Sequence, residues 1–377
     1  MARITAEQSL RDLIASGNGG WKESPLRVIG EQSQLLARKY PGIYVFAVYC
    51  IAFLGLAYLL LFPALFVLSG FALFKNLSSY ESVAIEQLLI QVLVLVISAL
   101  VTYRIVRFKP VLPGSSVKII NKPSEKLFGL VDDYIRHYRS ARINRIVFTS
   151  DFELDVVKTP CWSLPIWHTT TLIIGMPVIQ CFSVTRFQCA LARRVGISSR
   201  RRKWKGSILY QLRNTWPLYA GNSDHYSFGY QPIHWFFSVY APVYRLISAP
   251  VARTDELAAD TCAMELFSDE DVLDLITVQM ACLRYLEDEC LPVVQKMHDN
   301  DSITADSVTA GTVSLICKLI HSDRMDRWIA EAASAESRLD DTLPSLAARA
   351  QNIGHSEARL CVTEPEPAAS IYLAGAD

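Results

Sequence analysis

Two short stretches hold the residues with most to offer chemically. Val184 to Ile197 reads V-T-R-F-Q-C-A-L-A-R-R-V-G-I, and Ala252 to Asp260 reads A-R-T-D-E-L-A-A-D. At helical spacing, Arg253, Glu256, Asp260 and Ala263 share one face of the second stretch, while Arg193 and Ile197 lie four apart on one face of the first. Arginine keeps its proton at ordinary pH and has no lone pair for a metal, and isoleucine has none at all. Buried without compensation, Glu256 and Asp260 would be costly. A guanidinium at 193 or 194 can neutralise them through charge-assisted hydrogen bonds if the two helices meet. In the other arrangement both arginines reach solvent, and Glu256 caps or pairs with Arg253.

The elements that must position these residues follow from periodicity. Val184, Phe187, Leu191 and Val195 give the first stretch an apolar stripe. The second belongs to a helix expected from Pro250 to about Phe267. Upstream, Ser124 can cap a helix to Tyr138, with Leu127, Phe128, Val131, Ile135 and Tyr138 at helical spacing. Asn144–Thr149, Asp155–Lys158 and Thr171–Gly175 read as strands, with Trp162 and Trp167 in the loop between the last two. Asn214 to Leu246 is rich in aromatics, which suits core or membrane-proximal packing. Ser268 and Asp271 form a capping pair for a helix with Val272, Leu275, Ile276, Leu283 and Leu286 inward, ending near Pro292. From Glu331 the chain turns small and polar, and a mobile tail is expected around Glu364 to Pro367.

Composition places this assembly at a membrane. Of 377 residues, 51% are apolar, and the 37 basic and 37 acidic residues cancel, so no whole-molecule field points to nucleic acid. Pro41 to Phe74 holds no charged residue, and neither does Gln87 to Tyr103. At about 1.5 Å per residue both suffice for a hydrocarbon core of roughly 30 Å. The first span is expected from about Tyr44, with Pro63 or Gly70 marking a kink or exit. Arg27, Arg38 and Lys39 precede the spans, and Arg104, Arg107 and Lys109 follow them, which predicts both ends in the cytoplasm. The nine cysteines are odd in number and include no C-x-x-C pair, as suits a reducing compartment and argues against a disulfide framework. Thr5–Ser16 can form an amphipathic helix, and Pro110–Gly114 reads as a linker.

In this order the motifs resemble the membrane zinc endopeptidases of the HtpX-like and CAAX-prenyl-protease family. C-A-L-A-R-R-V-G-I fits the frame of that family's His-Glu-x-x-His helix, and Arg253, Glu256, Ala259 and Asp260 match its Glu-x-x-Ala-Asp helix. Asp151-Phe152, Gly175-Met176-Pro177 and Thr342-x-Pro344 agree as well. The resemblance implies an α+β fold: a mainly helical zincin-like (gluzincin) peptidase domain with a small sheet, preceded by two transmembrane helices. The expected division is a cytoplasmic segment 1–43, a transmembrane hairpin 44–109, a peptidase-like domain 110–335 and a polar tail 336–377.

It also implies what is missing. Zinc in that family needs two histidines four apart and a glutamate from the second helix, and a glutamate beside the first histidine takes the proton from bound water. Those three central-helix positions are here Arg193, Arg194 and Ile197. No metal is expected, Glu256 being the one ligand position retained, and no catalytic residue is expected intact. Glu153-Leu154 and Leu343 depart from the family pattern too. Of seven histidines, His225 and His234 lie nearest in sequence to Glu256. The expected function is a membrane-anchored pseudopeptidase acting as a binding or regulatory module, for a membrane protein or a peptide, with no cofactor. One alternative is an active membrane zinc metalloendopeptidase with an unrecognised ligand set. Another is a membrane-surface scaffold holding anionic lipid through Arg200, Arg201, Arg202, Lys203 and Lys205.

Overall fold

The uncharged run from Pro41 folds, in the computed structural model, as one helix of 38 residues reaching Ser78. The structure describes residues 25–78, 85–108, 116–117, 125–160, 168–201, 205–220, 229–290, 305–320, 322–337, 339, 341–355 and 366–373. Thr5–Ser16, Pro110–Gly114, Trp162 and Trp167 lie outside these residues, as do the side chains of Arg200 to Lys205.

Helix α1 (Pro25–Lys39) leads into α2 (Pro41–Ser78), and α3 (Ile85–Arg107) returns along it. Both α2 and α3 are long and apolar enough to cross a membrane, and only 17% of the most apolar window of each is buried within the protein. Helix α2 continues through both Pro63 and Gly70. At the far end of the pair, the Asn76 amide donates to the Gln91 side-chain carbonyl at 2.9 Å, which closes two polar groups on each other.

The rest is mainly helical around a small sheet. In chain order it comprises β1 (Ser116–Val117), α4 (Glu125–Tyr138), β2 (Arg145–Thr149), β3 (Leu154–Pro160), β4 (His168–Gly175), α5 (Met176–Cys181), α6 (Val184–Arg201), α7 (Lys205–Ala220) and α8 (Gln231–Ala263). There follow α9 (Asp269–Tyr285), a π-helical turn at Leu286–Cys290, α10 (Ala305–Ile320), α11 (Arg324–Ser334), α12 (Leu346–Ile353) and α13 (Ala368–Tyr372). The sheet order is β1-β2-β4-β3, with β2 and β4 parallel and the other pairs antiparallel. The Asp151-Phe152 and Gly175-Met176-Pro177 signatures meet in space: the Gly175 N–H donates to the Glu153 carbonyl at 2.7 Å. A Cβ at Gly175 would stand 2.0 Å from the Asp151 carbonyl oxygen, so only glycine fits there.

Helix α6 is the core element. Phe187, Leu191 and Val195 are buried as the stripe predicts, but so are Cys189, Ala190, Ala192 and Ile197, because sheet, α8 and α9 surround it. In α4 the inward face is Leu127, Val131 and Tyr134, while Phe128 is exposed. The Ser268 cap is present, its hydroxyl accepting from the Asp271 N–H at 3.2 Å. Val272, Leu275 and Ile276 are buried behind it.

Three expectations are corrected. The second carboxylate helix begins at Gln231 rather than Pro250, and runs 33 residues through Pro242 and Pro250. Proline removes a helical N–H and so disturbs the ladder. Pro250 removes the helical donor of the Leu246 carbonyl, and the carbonyls on either side of it take donors from other helices: Arg213 donates to that of Arg245 at 2.7 Å, and the Tyr44 hydroxyl to that of Ile247. The segment expected as a polar tail supplies α12 and α13, whose Leu346, Ile353, Ala368 and Tyr372 enter the core. Finally, Cys181 and Cys317 form a disulfide, with Cα atoms 5.0 Å apart, joining α5 to α10. Among the described residues Cys50, Cys189, Cys262, Cys282 and Cys290 take part in no disulfide. The cysteines therefore do not mark a reducing compartment.

Candidate functional site

Helices α6 and α8 cross at a glycine. A Cβ on Gly196 would lie 2.5 Å from that of Cys262, so the absent side chain sets how closely the helices approach. The Tyr138 hydroxyl donates to the Cys262 carbonyl at 2.7 Å and braces the same crossing from α4. One turn before Gly196, the side chain of Arg193 is driven into the interface. It is 1% exposed, and Glu256 and Asp260 face it from α8.

The pairing anticipated between the two stretches is made by both arginines. Arg193 donates through Nη2 to Glu256 Oε2 and through Nε to Asp260 Oδ1 at 2.5 Å. Arg194 Nη1 donates to the other Glu256 oxygen at 2.7 Å, and its Nε stands 4.0 Å from Asp155 Oδ1. Asp155, on β3, also accepts from the Tyr210 hydroxyl of α7. Arg253 faces elsewhere and donates to the carbonyls of Asp341 and Leu339 at 3.0 and 3.2 Å, so it does not take Glu256 from the centre. It tethers the segment leading into α12.

That segment delivers a residue the motif comparison missed. Arg349 of α12 is fully buried and grips Asp260 with both arms, Nε to Oδ2 at 2.9 Å and Nη2 to Oδ1 at 2.8 Å. The centre thus joins three guanidiniums (193, 194, 349) to three carboxylates (155, 256, 260), and their formal charges cancel. Burial alone would raise the Asp260 carboxyl, but Arg193 and Arg349 override it and hold the group below the usual carboxylate range. Burial disfavours the Arg194 cation as well, yet Glu256 and Asp155 outweigh it and push that group above its ordinary value.

A second buried pair lies two turns earlier on α6. Arg186 donates to Asp274 of α9 through Nε at 2.6 Å and Nη2 at 3.1 Å. Arg186 and Arg193 are seven apart and so share a face. That spacing is the sequence signal for both pairs.

At this centre the carboxylate oxygens that could hold a metal are already taken. Both Glu256 oxygens and both Asp260 oxygens are engaged by guanidiniums. Arg193, Arg194 and Ile197 offer no lone pair, so these residues do not fit a zinc ion. Among the described residues no three His, Cys, Asp or Glu side chains are grouped as metal ligands. His234 does not approach the centre: its Nδ1 lies 2.9 Å from the Ala220 carbonyl, and it sits about 33 Å along α8 from Glu256. His225 lies outside the described residues. The space between Tyr210, Arg213, Ser248 and Asp255 amounts to about 10 Å³, roughly enough for one water.

Comparison of the chain with family models, with curated proteins and with solved structures returned no match.

Proposed function

We propose that this chain is a membrane-anchored pseudopeptidase: a scaffold resembling the HtpX-like and CAAX-prenyl-protease enzymes, with no zinc-dependent proteolysis, serving as a binding or regulatory module. The single observation behind this reading is the Arg193 guanidinium, bonded at once to Glu256 and Asp260. In the resembled enzymes those helix faces meet around a metal. Here a fixed cation of the protein's own stands between them and leaves Glu256 no free oxygen to offer. Helices α2 and α3 act as the anchor, and the flanking Arg38, Lys39, Arg104 and Arg107 orient the remainder towards the cytoplasm.

Metal analysis of the full-length protein, purified in detergent and then incubated with zinc, tests this reading. The expected result is sub-stoichiometric zinc, unchanged by Glu256→Ala, and no peptide cleavage above a heat-treated control. Stoichiometric zinc that is lost together with cleavage on Glu256→Ala would overturn it and favour the active-enzyme alternative.

A further inference from the structure

The first three turns of α8 carry an apolar face that the protein leaves uncovered. Trp235 and Val239, four residues apart, are each 70% exposed. Apart from His234, whose ring is tied to the Ala220 carbonyl, α8 has no ionisable group but tyrosines between Gln231 and Tyr244. Nearby hydroxyls are satisfied internally: Tyr58 donates to the Pro232 carbonyl at 2.9 Å, Tyr240 to that of Ile51, and Ser238 to that of Trp235 at 2.9 Å. Gln231, one turn before Trp235 on the same face, is the exposed polar side chain at the start of this patch.

Its height relative to the spans is fixed by contacts. Phe236 stacks on Tyr58 of α2 with ring centres 3.9 Å apart, and Tyr44 and Ile51 also meet α8, so the span begins nearer Tyr58 than the expected Tyr44. Gly229, just before α8, lies against Leu100 and Arg104 of α3, and Phe108 stacks on Tyr219 at 4.3 Å. The exposed Trp235 face therefore stands level with the end of α3 where the uncharged run gives way to Arg104 and Arg107. Tyr103, half exposed there, accepts from Arg107 Nη1 at 2.6 Å. Tryptophan, tyrosine and arginine at one level, where an apolar helix ends, is the pattern of a bilayer's interfacial layer. An apolar face continuous with lipid-facing helices is covered most economically by the same lipid.

We infer that Trp235 and Val239 are an interfacial membrane anchor: the start of α8 rests in the headgroup layer of the bilayer that α2 and α3 cross. This rests on reading α2 and α3 as spans. It fixes the distance of the charged centre, because α8 runs unbroken from Trp235 to Glu256 and so holds that carboxylate about 32 Å further along.

Tryptophan quenching in phosphatidylcholine vesicles, with acyl chains brominated either near the headgroup or deep in the chain, tests the inference. Full-length Trp235→Phe is the background. The native Trp235, and Val239→Trp, Phe71→Trp or Phe128→Trp placed in that background, each add one reporter. We expect Trp235 and V239W to be quenched most by shallow bromines, F71W by deep bromines, and F128W by aqueous iodide alone. Iodide quenching of both Trp235 and V239W, with F71W still quenched by lipid, refutes the anchor and leaves the spans intact. Strongest quenching of both by deep bromines likewise refutes an interfacial position. Iodide quenching of F71W removes the spans, and the anchor with them.

Discussion

Arg193→Met keeps a straight side chain in α6 but deletes the cation between Glu256 and Asp260. Removing one partner of a buried ion pair costs about 3–5 kcal/mol, because the remaining charge is stranded. Here the lower end applies. Arg194 still holds one Glu256 oxygen and Arg349 still holds both oxygens of Asp260, so two carboxylate bonds and a longer one to Gln279 are lost rather than all charge compensation. A loss of about 3 kcal/mol corresponds to a fall in unfolding midpoint of about 6–12 °C for a domain of this size. The pH dependence identifies the mechanism. In the wild type Asp260 titrates below its unfolded value, so its contribution is complete above about pH 4 and is lost as pH falls through the depressed folded value. In the variant that depression weakens and protonation relieves the stranded charge. The deficit should therefore hold level from pH 8 down to about pH 4 and shrink only as the pH falls below it towards the depressed folded value. Adding Glu256→Gln should recover part of it at pH 7. Thermal unfolding of detergent-solubilised protein between pH 2 and 8 measures all three. A midpoint shift under 2 °C at pH 7, or a deficit independent of pH, would refute the counter-charge argument.

Other residues make comparable predictions. Arg349→Leu should cost about 3 kcal/mol for the same reason, and removing residues 346–377 should lower the midpoint at least as far; both are checked by thermal unfolding, and a silent deletion would contradict the buried position of α12. Gly196→Ala should destabilise by about 1–3 kcal/mol, since the new methyl meets Cys262 at the tightest point of the α6–α8 crossing. Chemical denaturation reads that directly. Non-reducing peptide mapping should recover Cys181 linked to Cys317, and Cys317→Ser should lower stability by about 2–4 kcal/mol. Recovery of both thiols alkylated in unreduced protein would contradict the pairing.

Much of the charged centre was legible because its logic is local. The i,i+4 spacing of Glu256 and Asp260, and an apolar stripe on α6 with arginines beside it, define two faces that need each other. Arg349 escaped because composition hid it. The stretch S-L-A-A-R-A-Q-N-I is small and polar on average, yet the Ser345 hydroxyl accepts from the Ala348 N–H at 3.3 Å and Leu346, Ala350 and Ile353 repeat at helical spacing. A capped, one-faced helix was present in that pattern, with Arg349 on its buried side. The continuity of α8 was not legible in the same way. Two prolines argue for a break, and the side chains that brace the helix beside Pro250 come from distant parts of the chain: Arg213, 32 residues from its partner, and Tyr44, 203 residues from its own. Nor does any spacing rule connect Cys181 with a partner 136 residues on.

Helix α8 is also a beam. One end stands against α2 and α3, and the other carries Glu256 and Asp260. The three arginines that pin it belong to α6 and α12. A packed helix does not shorten, so a tilt or axial shift of the apolar pair would arrive at the far end as displacement of two carboxylates against fixed guanidiniums. The ion pairs resist that movement at the point where its lever arm is longest. In mechanical terms the centre is a clamp on the beam.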